Sequence, residues 1–230
     1  MDVSQVELDK VKAVLFDLDG TLYDLKKMQK IMRKKILLHL ISKPWRYREI
    51  LIVYHFRKDR KKAAGSFVPD LQTTQYRWLQ RRYDLPLEQL EATVQKWMFD
   101  LPIEHLKALA FPSLYPFLEL LSAKKIPYGV HSDLPIGKKL EVLGVKPNYQ
   151  SDTCSEELNV LKPHPGGIMK FSKQTGIPTE EILVLGDKKE LDGEMASFCE
   201  APFIHIQRSS ANRQYQKLLE LFQKYPDPPK

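Results

Sequence analysis

The pattern of apolar and polar positions divides the chain into two kinds of region. A short apolar run in VKAVLFD (11–17) ends at a turn, and this pattern predicts a buried strand. After residue 112, apolar runs of strand length alternate with segments of helical period. The later strands are expected in IPYGVHS (126–132), YQSDTCS (149–155), EILVLGD (181–187) and APFIHI (201–206). Strands separated by helices predict a parallel sheet covered on both faces, which is a three-layer, Rossmann-like α/β core.

The segment 23–110 has a different pattern. Met28, Met32, Ile36 and Leu40 recur every four residues, as on one face of a helix, and no strand pattern interrupts the segment. We interpret it as an α-helical cap domain inserted into the core. The core domain is then expected to comprise 1–22 and 111–230.

Basic residues are concentrated in the first part of this helical segment. The chain of 230 residues has a net charge of +7, and between Lys26 and Lys62 fourteen Lys or Arg stand against two acids. Such an excess favours anionic partners, namely phosphorylated metabolites, nucleic acid or an acidic membrane surface, and its simplest alternative is a solvated helix surface. Lys26 and Lys27 follow the first strand closely, so they are candidates to face a site there and bind an anionic group.

Aromatic residues lie among these basic residues in WRYREILIVYHFRKDRKK (45–62). Such a stretch could lie on a membrane surface or contact a nucleic acid backbone. Because Trp45, Tyr47, Tyr54 and Phe56 have helical spacing, we expect them to pack in the core of the cap instead. The sequence has no nucleic-acid-binding motif, so no nucleic acid partner is expected, and membrane contact is the less favoured prediction.

The cysteines and the termini indicate a cytoplasmic protein. Cys154 and Cys199 are isolated and lack the spacing of metal ligands, which predicts two plain thiols in a reducing compartment. The first ten residues are polar, without the apolar core of a signal peptide. No run approaches the ~18 apolar residues of a membrane span. The tail 226–230 is expected to be loosely held.

Several predicted strands end at polar residues: Asp17, Ser132 and Asp187. In open parallel sheets, ligands bind outside the carboxyl ends of the strands, so these side chains are expected to meet at one site. A pair of nearby carboxylates such as Asp17 and Asp19 can divide two tasks, one acting as nucleophile or metal ligand and the other as proton donor.

Three further residues add to the chemistry expected at this edge. Asp187 and Asp192 are two more carboxylates after an apolar run, and carboxylate oxygens are ligands that suit Mg²⁺. Lys162 supplies a point charge that suits a phosphate group. Each feature is common in proteins when it occurs singly, as a turn, a cap or a surface lysine. Their combination favours a site for a phosphorylated ligand.

These residues form four motifs in a fixed order along the chain. The order is DLDGT (17–21), YGVHSD with Ser132, KPHP with Lys162, and GDKKELD with Asp187 and Asp192. In this the sequence resembles the haloacid dehalogenase superfamily of phosphohydrolases. The resemblance covers 11–21 and 113–206, and the helical segment lies where that superfamily carries a helical cap.

The resemblance implies a role for each acid. Asp17 is implied to be the nucleophile that forms an aspartyl-phosphate. Asp19 is implied to protonate the leaving oxygen and then to act as general base for water. A Mg²⁺ cofactor is implied to be held by Asp17, the backbone carbonyl of Asp19 and Asp187, with Asp192 in support.

The resemblance also implies a substrate-binding set. Ser132 and Lys162 are implied to hold the phosphoryl oxygens. Gly20, Thr21 and Asp133, which belong to the same motifs, complete the predicted set. Asp133 departs from the family pattern, since many relatives have Asn there.

Two other details near these motifs lead to expectations. His131 is a second departure from the family pattern, and we expect it to pack beneath the sheet rather than touch substrate. Gly166 and Gly167 are expected to ease the approach of the backbone to Lys162.

The expected function is a Mg²⁺-dependent phosphomonoester hydrolase that acts on a small phosphorylated metabolite. Asp19 favours a phosphate ester as substrate, because dehalogenases of the superfamily lack this second acid. Two alternatives stay open: a sugar phosphomutase on the same fold, and a non-catalytic protein that binds a phosphorylated ligand or a membrane surface. The sequence determines neither the substrate nor the oligomeric state.

Overall fold

A computed structural model describes residues 8–224. Its centre is a five-stranded sheet in the order β3-β2-β1-β4-β5, and every neighbouring pair is parallel. The strands are β1 (Ala13–Phe16), β2 (Tyr128–Ser132), β3 (Tyr149–Asp152), β4 (Ile182–Gly186) and β5 (Phe203–His205). This confirms the predicted parallel α/β core. The loose tail and most of the polar amino-terminal stretch lie outside the described residues.

Helices cover both faces of the sheet. In β1, Val14 and Phe16 belong to one buried apolar cluster, whereas Ala13 and Leu15 belong to another. Successive strand residues point to opposite faces, so these two clusters are the layers on either side of the sheet. The strand therefore consists almost wholly of apolar residues, as its sequence predicts.

Ten α-helices are present among the described residues. They are α1 (Leu25–Ser42), α2 (Tyr47–Lys62), α3 (Leu71–Tyr83), α4 (Leu87–Val94), α5 (Leu101–Leu109), α6 (Leu114–Ala123), α7 (Gly137–Leu143), α8 (Gly166–Thr175), α9 (Glu194–Ser197) and α10 (Ala211–Gln223). Shorter helical pieces are the 3₁₀ turns Leu8–Lys10, Pro44–Arg46 and Thr179–Glu181 and the π-helical turns Gln95–Asp100 and Lys189–Gly193. Thus α4 continues through a π-helical turn into α5.

Residues 25–109, here named the helical insert, contain helices and loops, with one isolated antiparallel bridge between Phe67 and Val160. Part of the insert has an apolar cluster of its own, formed by Ile52, Phe56, Tyr76, Leu79, Leu90 and Val94. The chain leaves and re-enters the core at adjacent points, because Tyr23 and Ala110 form an antiparallel bridge. The helical content agrees with the expected cap, and the division into two domains stays a prediction.

Arg60 of α2 connects the helical insert to the core. This arginine is buried, and its guanidinium donates to the backbone oxygen of Asp133, to Thr153 Oγ1 at 3.0 Å and to Gln75 Oε1. Asp133 and Thr153 follow the ends of β2 and β3. The insert is therefore attached at the carboxyl edge of the sheet.

The prediction that four aromatic residues pack inside the cap is wrong for three of them. Phe56 is 1% exposed, but Trp45, Tyr47 and Tyr54 are 71%, 54% and 55% exposed. On α2 the face that includes Phe56 packs inward, and Tyr47 and Tyr54 lie on the opposite face. Helical spacing groups residues by face, but it does not identify which aromatic residues share the buried one.

The two cysteines are free, Cys154 buried and Cys199 half-buried, as expected for plain thiols. In the part of the chain that the structure describes, no helix has both the length and the apolar character needed to cross a membrane. The cytoplasmic location stays a prediction.

Candidate active site

The carboxyl edge of the sheet brings together the acids of the first and fourth motifs. Asp17 follows β1 directly, and its backbone N–H donates to Leu185 O of the neighbouring β4 at 2.8 Å. Asp187 follows β4, and Asp192 lies in the π-helical turn after it. One carboxylate oxygen from each of Asp17, Asp187 and Asp192 lies within 4.8 Å of the others.

The glycine turn of the first motif packs tightly against this acidic cluster. Gly20 has φ +106°, a conformation that side chains rarely allow, and a Cβ there would overlap the Asp187 carboxylate. Thr21 is buried, and its hydroxyl donates to Asp17 Oδ2 at 3.1 Å. Both residues were expected to bind substrate. Their contacts in the structure position Asp17 and Asp187, and substrate contact stays a prediction.

Lys162 contacts two acids of the cluster, Asp17 and Asp192. Its side chain is 1% exposed, and its ammonium donates to Asp17 Oδ1 at 2.7 Å, Asp192 Oδ1 at 2.8 Å and the backbone oxygen of His131 at 3.0 Å. Burial alone lowers the pKa of Lys162, but Asp17 and Asp192 outweigh it and raise that pKa well above the ordinary value. The lysine is therefore charged at any physiological pH.

Asp19 lies apart from the acidic cluster and has its own cation. Both carboxylate oxygens accept from Lys139 Nζ at 2.7 Å, and Oδ1 also accepts the Tyr23 hydroxyl at 2.5 Å. Burial raises the pKa of Asp19, but the Lys139 charge and these hydrogen bonds outweigh it and hold the pKa below the ordinary value. In this arrangement Asp19 is an ionised carboxylate.

Sequence reasoning missed Lys139. It lies in α7, and in the sequence it is one of two adjacent lysines in a segment of helical period. No local signal distinguishes it from a surface lysine.

The fourth-motif acids are crowded by negative charge. Burial and the neighbouring Asp17 raise the pKa of Asp187 to about 7. Burial also raises the pKa of Asp192 to about 6, although Lys162 opposes this shift. Asp187 Oδ1 is buried and has no hydrogen-bond partner. In contrast, Asp192 accepts from Lys162 and, at 3.1 Å, from the backbone N–H of Lys188.

An unpartnered carboxylate oxygen among three close acids fits a divalent cation. Ions such as Mg²⁺ prefer carboxylate oxygen ligands, and a cation would offset the repulsion that raises the pKa values of these acids. Of the three acids, only Asp187 has an oxygen without a protein partner, since both oxygens of Asp17 and both oxygens of Asp192 accept hydrogen bonds from protein groups.

The second motif contributes a hydroxyl and a structural carboxylate. Ser132 is buried at the end of β2, and its Oγ accepts the Leu134 backbone N–H at 3.2 Å, which leaves its own hydrogen free to donate. Asp133 Oδ1 accepts the backbone N–H of Lys162 at 3.2 Å. The contacts of Asp133 thus hold the Lys162 loop and Arg60, and substrate contact by Asp133 stays a prediction.

His131 packs beneath the sheet, as expected. It is 1% exposed, and Nδ1 lies 2.9 Å from Ser151 Oγ. Burial and the Lys162 charge lower the pKa of His131 well below its ordinary value, so the ring is neutral. A Cβ at position 167 would overlap this ring. Gly167 therefore provides space for His131, and the expectation that Gly166 and Gly167 ease the approach of the backbone to Lys162 stays a prediction.

Lys26 and Lys27 lie on the exposed surface of the first turn of α1. Lys27 interacts with the helix cap, since its backbone N–H donates to Asp24 Oδ1 at 2.9 Å and its Nζ lies 3.9 Å from Asp24 Oδ2. Their role in binding an anionic group stays a prediction.

The fold and the site together define a class of enzyme. A carboxylate at the end of the central strand lies beside a buried ammonium, two further acids and a second carboxylate that can carry a proton. Such a centre suits hydrolytic attack on an anionic group with the help of a cation.

Comparisons with known proteins agree with this class. A family model described as haloacid dehalogenase-like hydrolase matches residues 11–198, and the chain belongs to that family. Its members are hydrolases that generally use a divalent metal ion, which is consistent with the acidic cluster.

Individual relatives are more distant. The chain is 28% identical over 201 residues to the glyceraldehyde 3-phosphate phosphatase of Methanopyrus kandleri. The alignment covers 79% of this chain and 78% of that protein. A HAD phosphatase from Thermococcus onnurineus matches with a TM-score of 0.57 and 20% identity, covering 86% and 87% of the two chains. The β-phosphoglucomutase of Clostridium difficile matches with a TM-score of 0.59 and 14% identity, covering 93% of this chain and all (100%) of that one. The two structures indicate a shared fold.

Proposed function

We propose that this protein is a Mg²⁺-dependent phosphomonoester hydrolase that acts through an aspartyl-phosphate on a small phosphorylated metabolite. The observation that carries the proposal is the contact of Lys162 with Asp17 at 2.7 Å, at the end of the central strand. A buried cation beside a carboxylate lets a dianionic phosphoryl group approach a nucleophile that is itself negative.

Asp17 is positioned to attack with a single geometry. Thr21 holds one of its oxygens and Lys162 the other, so the carboxylate cannot rotate freely. Its attack on phosphorus forms the acyl-phosphate bond, and the bond to the leaving oxygen breaks. The Ser132 hydroxyl and the Lys162 ammonium are the donors that stabilise negative charge on the phosphoryl oxygens.

Asp19 handles the proton in both steps. In the resting structure it is ionised beside Lys139, which suits the second step, where it takes a proton from the water that hydrolyses the acyl-phosphate. In the first step it must carry a proton to the leaving oxygen. The negative charge of a bound phosphate raises the pKa of a neighbouring carboxyl group, and this favours uptake of that proton.

Mg²⁺ is the cofactor that the donor set fits best. Asp17 and Asp187 would hold it directly, together with the backbone carbonyl of Asp19, and Asp192 would support the site through Lys162 and Lys188. When bound, the ion supplies positive charge that offsets the charge of the phosphoryl group.

We expect the thermal stability of the protein to depend on pH because of the acids at this proposed cation site. The folded-state pKa of Asp187 is about 7, against an ordinary value of 3.8. Because the folded state holds the Asp187 proton more tightly than the unfolded state, protonation of this group stabilises the folded state at pH values below its ordinary pKa. This contribution to the free energy of unfolding is lost as pH rises toward 7. We therefore expect the chelated protein to lose thermal stability between about pH 4 and about pH 7. Millimolar Mg²⁺ should restore it, with a shift in Tm that grows as pH rises.

Thermal unfolding in the presence of Mg²⁺ or chelator across this pH range measures the effect. Asp187→Asn is the matched variant, because it removes the titrating acid and should abolish most of the Mg²⁺-dependent shift. A shift of equal size in wild type and variant would contradict the proposed ligand set.

We propose that residues 23–110, which include the helical insert, act as a cap domain over a core of 1–22 and 111–230. Arg60 and the hydrogen bond from Gly65 N–H to Lys162 O at 3.1 Å hold the insert against the loops that carry the catalytic groups. Such a cap excludes water from the site and selects the leaving group.

The decisive experiment is phosphate release from a panel of phosphorylated metabolites, with Mg²⁺ or with chelator. The panel includes glyceraldehyde 3-phosphate, because the Methanopyrus kandleri relative is named for that substrate. Metal-dependent release supports the proposal. Interconversion of sugar phosphates without net release would favour the mutase, and no turnover by folded, metal-loaded protein would favour a non-catalytic role.

A further inference from the structure

Large apolar side chains are exposed in one part of the helical insert. Among the described residues, ten large apolar or aromatic side chains are strongly exposed, and seven of them lie between positions 37 and 54. These seven, here named the apolar patch, are 41–71% exposed: Leu37, Leu38, Ile41, Trp45, Tyr47, Leu51 and Tyr54. Single exposed apolar residues are ordinary, but a concentration of this kind marks an interaction surface.

On α1 the patch forms a stripe with a basic end. Lys30, Lys34, Leu37 and Ile41 are spaced four, three and four residues apart, so they lie on one face of the helix. All four are exposed, whereas Met28 on the opposite face is buried. The helix therefore presents an apolar half-face that continues into lysines.

On α2 the order along the chain is reversed, with the apolar residues first and the lysine last. Tyr47, Leu51, Tyr54 and Lys58 follow the same spacing and are all exposed, and Phe56 on the opposite face is buried. Trp45 lies in the 3₁₀ turn between the two helices and is 71% exposed. The apolar residues thus cluster around the α1–α2 connection, and lysines follow farther along each helix.

The charge around the patch is positive. The two acids between Lys26 and Lys62 each contact basic residues, so they do not offset the charge of the remaining cations. Glu49 contacts Arg46, lies 3.2 Å from Lys96 Nζ and accepts the Trp97 indole N–H at 2.9 Å. Asp59 lies 3.6 Å from Arg82. The exposed cations of the segment include Lys30, Arg33, Lys34, Lys43, Arg48, Arg57, Lys58 and Lys61.

We propose that the apolar patch binds the surface of an anionic lipid bilayer. The aliphatic side chains of Leu37, Leu38 and Ile41 suit the boundary of the acyl region, and Trp45 and Tyr47 have the amphipathic rings that favour the headgroup level. The surrounding Lys and Arg side chains attract anionic headgroups.

The composition of the patch favours lipid over other occupants. A nucleic acid backbone would bind the cations but has no use for exposed leucine and isoleucine. A second copy of the chain would bring two cationic surfaces together, which like-charge repulsion opposes. Arg60, which contacts the catalytic loops, lies on the buried side of α2, away from the exposed face with Tyr47 and Tyr54.

Co-sedimentation with vesicles tests the proposal on the full chain. The probes are phosphatidylcholine vesicles and vesicles that also contain phosphatidylglycerol. We expect at least about tenfold stronger binding to the anionic vesicles. The double variant Ile41→Glu/Trp45→Glu should lower that binding about tenfold or more, because it places two acids in the patch.

The matched control is the double variant Met169→Glu/Phe198→Glu. Met169 and Phe198 are 56% and 67% exposed and lie outside the patch. Because two neutral residues are again replaced by Glu, the control has the same change in charge. It should bind vesicles as wild type does. All replaced residues are exposed, and unchanged Tm and unchanged hydrolysis of a soluble substrate establish that each variant is folded.

Several results would overturn the proposal. These are equal binding to neutral and anionic vesicles, an equal loss of binding in the two double variants, and no binding at low salt. Binding of a DNA or RNA duplex with equal affinity and equal sensitivity to the patch variant would instead assign the surface to nucleic acid. Dimerisation that depends on the patch, measured by light scattering, would assign it to a second copy of the chain.

Discussion

The Asp17→Asn variant is expected to lose at least about 10⁴-fold in kcat for every substrate, because the amide cannot form the acyl-phosphate. The variant should remain folded. Lys162 keeps two of its three acceptors, Asp192 and the backbone oxygen of His131, and Thr21 can still donate to the amide oxygen. Phosphate release and Tm measured on the same preparation separate loss of chemistry from loss of structure.

A matched control lies at the end of another strand of the same sheet. Asp152 ends β3, is half-buried, and its Oδ1 accepts the Cys154 backbone N–H at 3.0 Å. It is not part of the acidic cluster. Asp152→Asn should therefore change kcat by less than about tenfold. Substantial activity in Asp17→Asn, or an equal loss in both variants, would contradict the assignment of Asp17 as nucleophile.

The second large effect is expected on stability, from Lys162→Met. Removing the ammonium leaves Asp17 and Asp192 buried without their common cation, and breaking a buried ion pair on one side costs about 3–5 kcal/mol in the free energy of unfolding. Denaturation by urea in the presence of chelator measures this cost, with the metal contribution removed.

The control for this variant is an ion pair of the same length on the surface. Lys12 Nζ lies 2.8 Å from Glu181 Oε1, but the lysine side chain is 55% exposed. Lys12→Met should therefore cost less than about 1 kcal/mol. If Lys162→Met is too unstable to purify, the double variant Lys162→Met/Asp192→Asn should recover stability, because it also removes one uncompensated charge. Equal costs at positions 12 and 162 would contradict the buried bridge.

The parts of the fold that depend on local pattern were predictable from the sequence. The first strand is an apolar run that ends in Asp17, and parallel strands alternating with helices require the layered core that the structure has. The prediction that Asp17 and Asp187 meet rested on a general property of parallel sheets, namely that their carboxyl ends share one edge.

The contacts between distant segments were not predictable. Lys139 is 120 residues from Asp19, and Arg60 is 93 residues from Thr153, so no spacing in the sequence relates either pair. The same holds for Gly167, which provides space for the His131 ring. Each of these contacts exists only because two separate elements pack side by side.

The exposed face of α2 illustrates the difference between what local sequence determines and what tertiary packing determines. The sequence by itself determined the strand ends, the order of the motifs and the periodicity that groups Tyr47 with Tyr54, because these depend on neighbours along the chain. Only the tertiary structure decided that Phe56 packs inward while Tyr47 and Tyr54 point away from the core. Periodicity defines the faces of a helix, but which face is buried depends on the elements that pack against it.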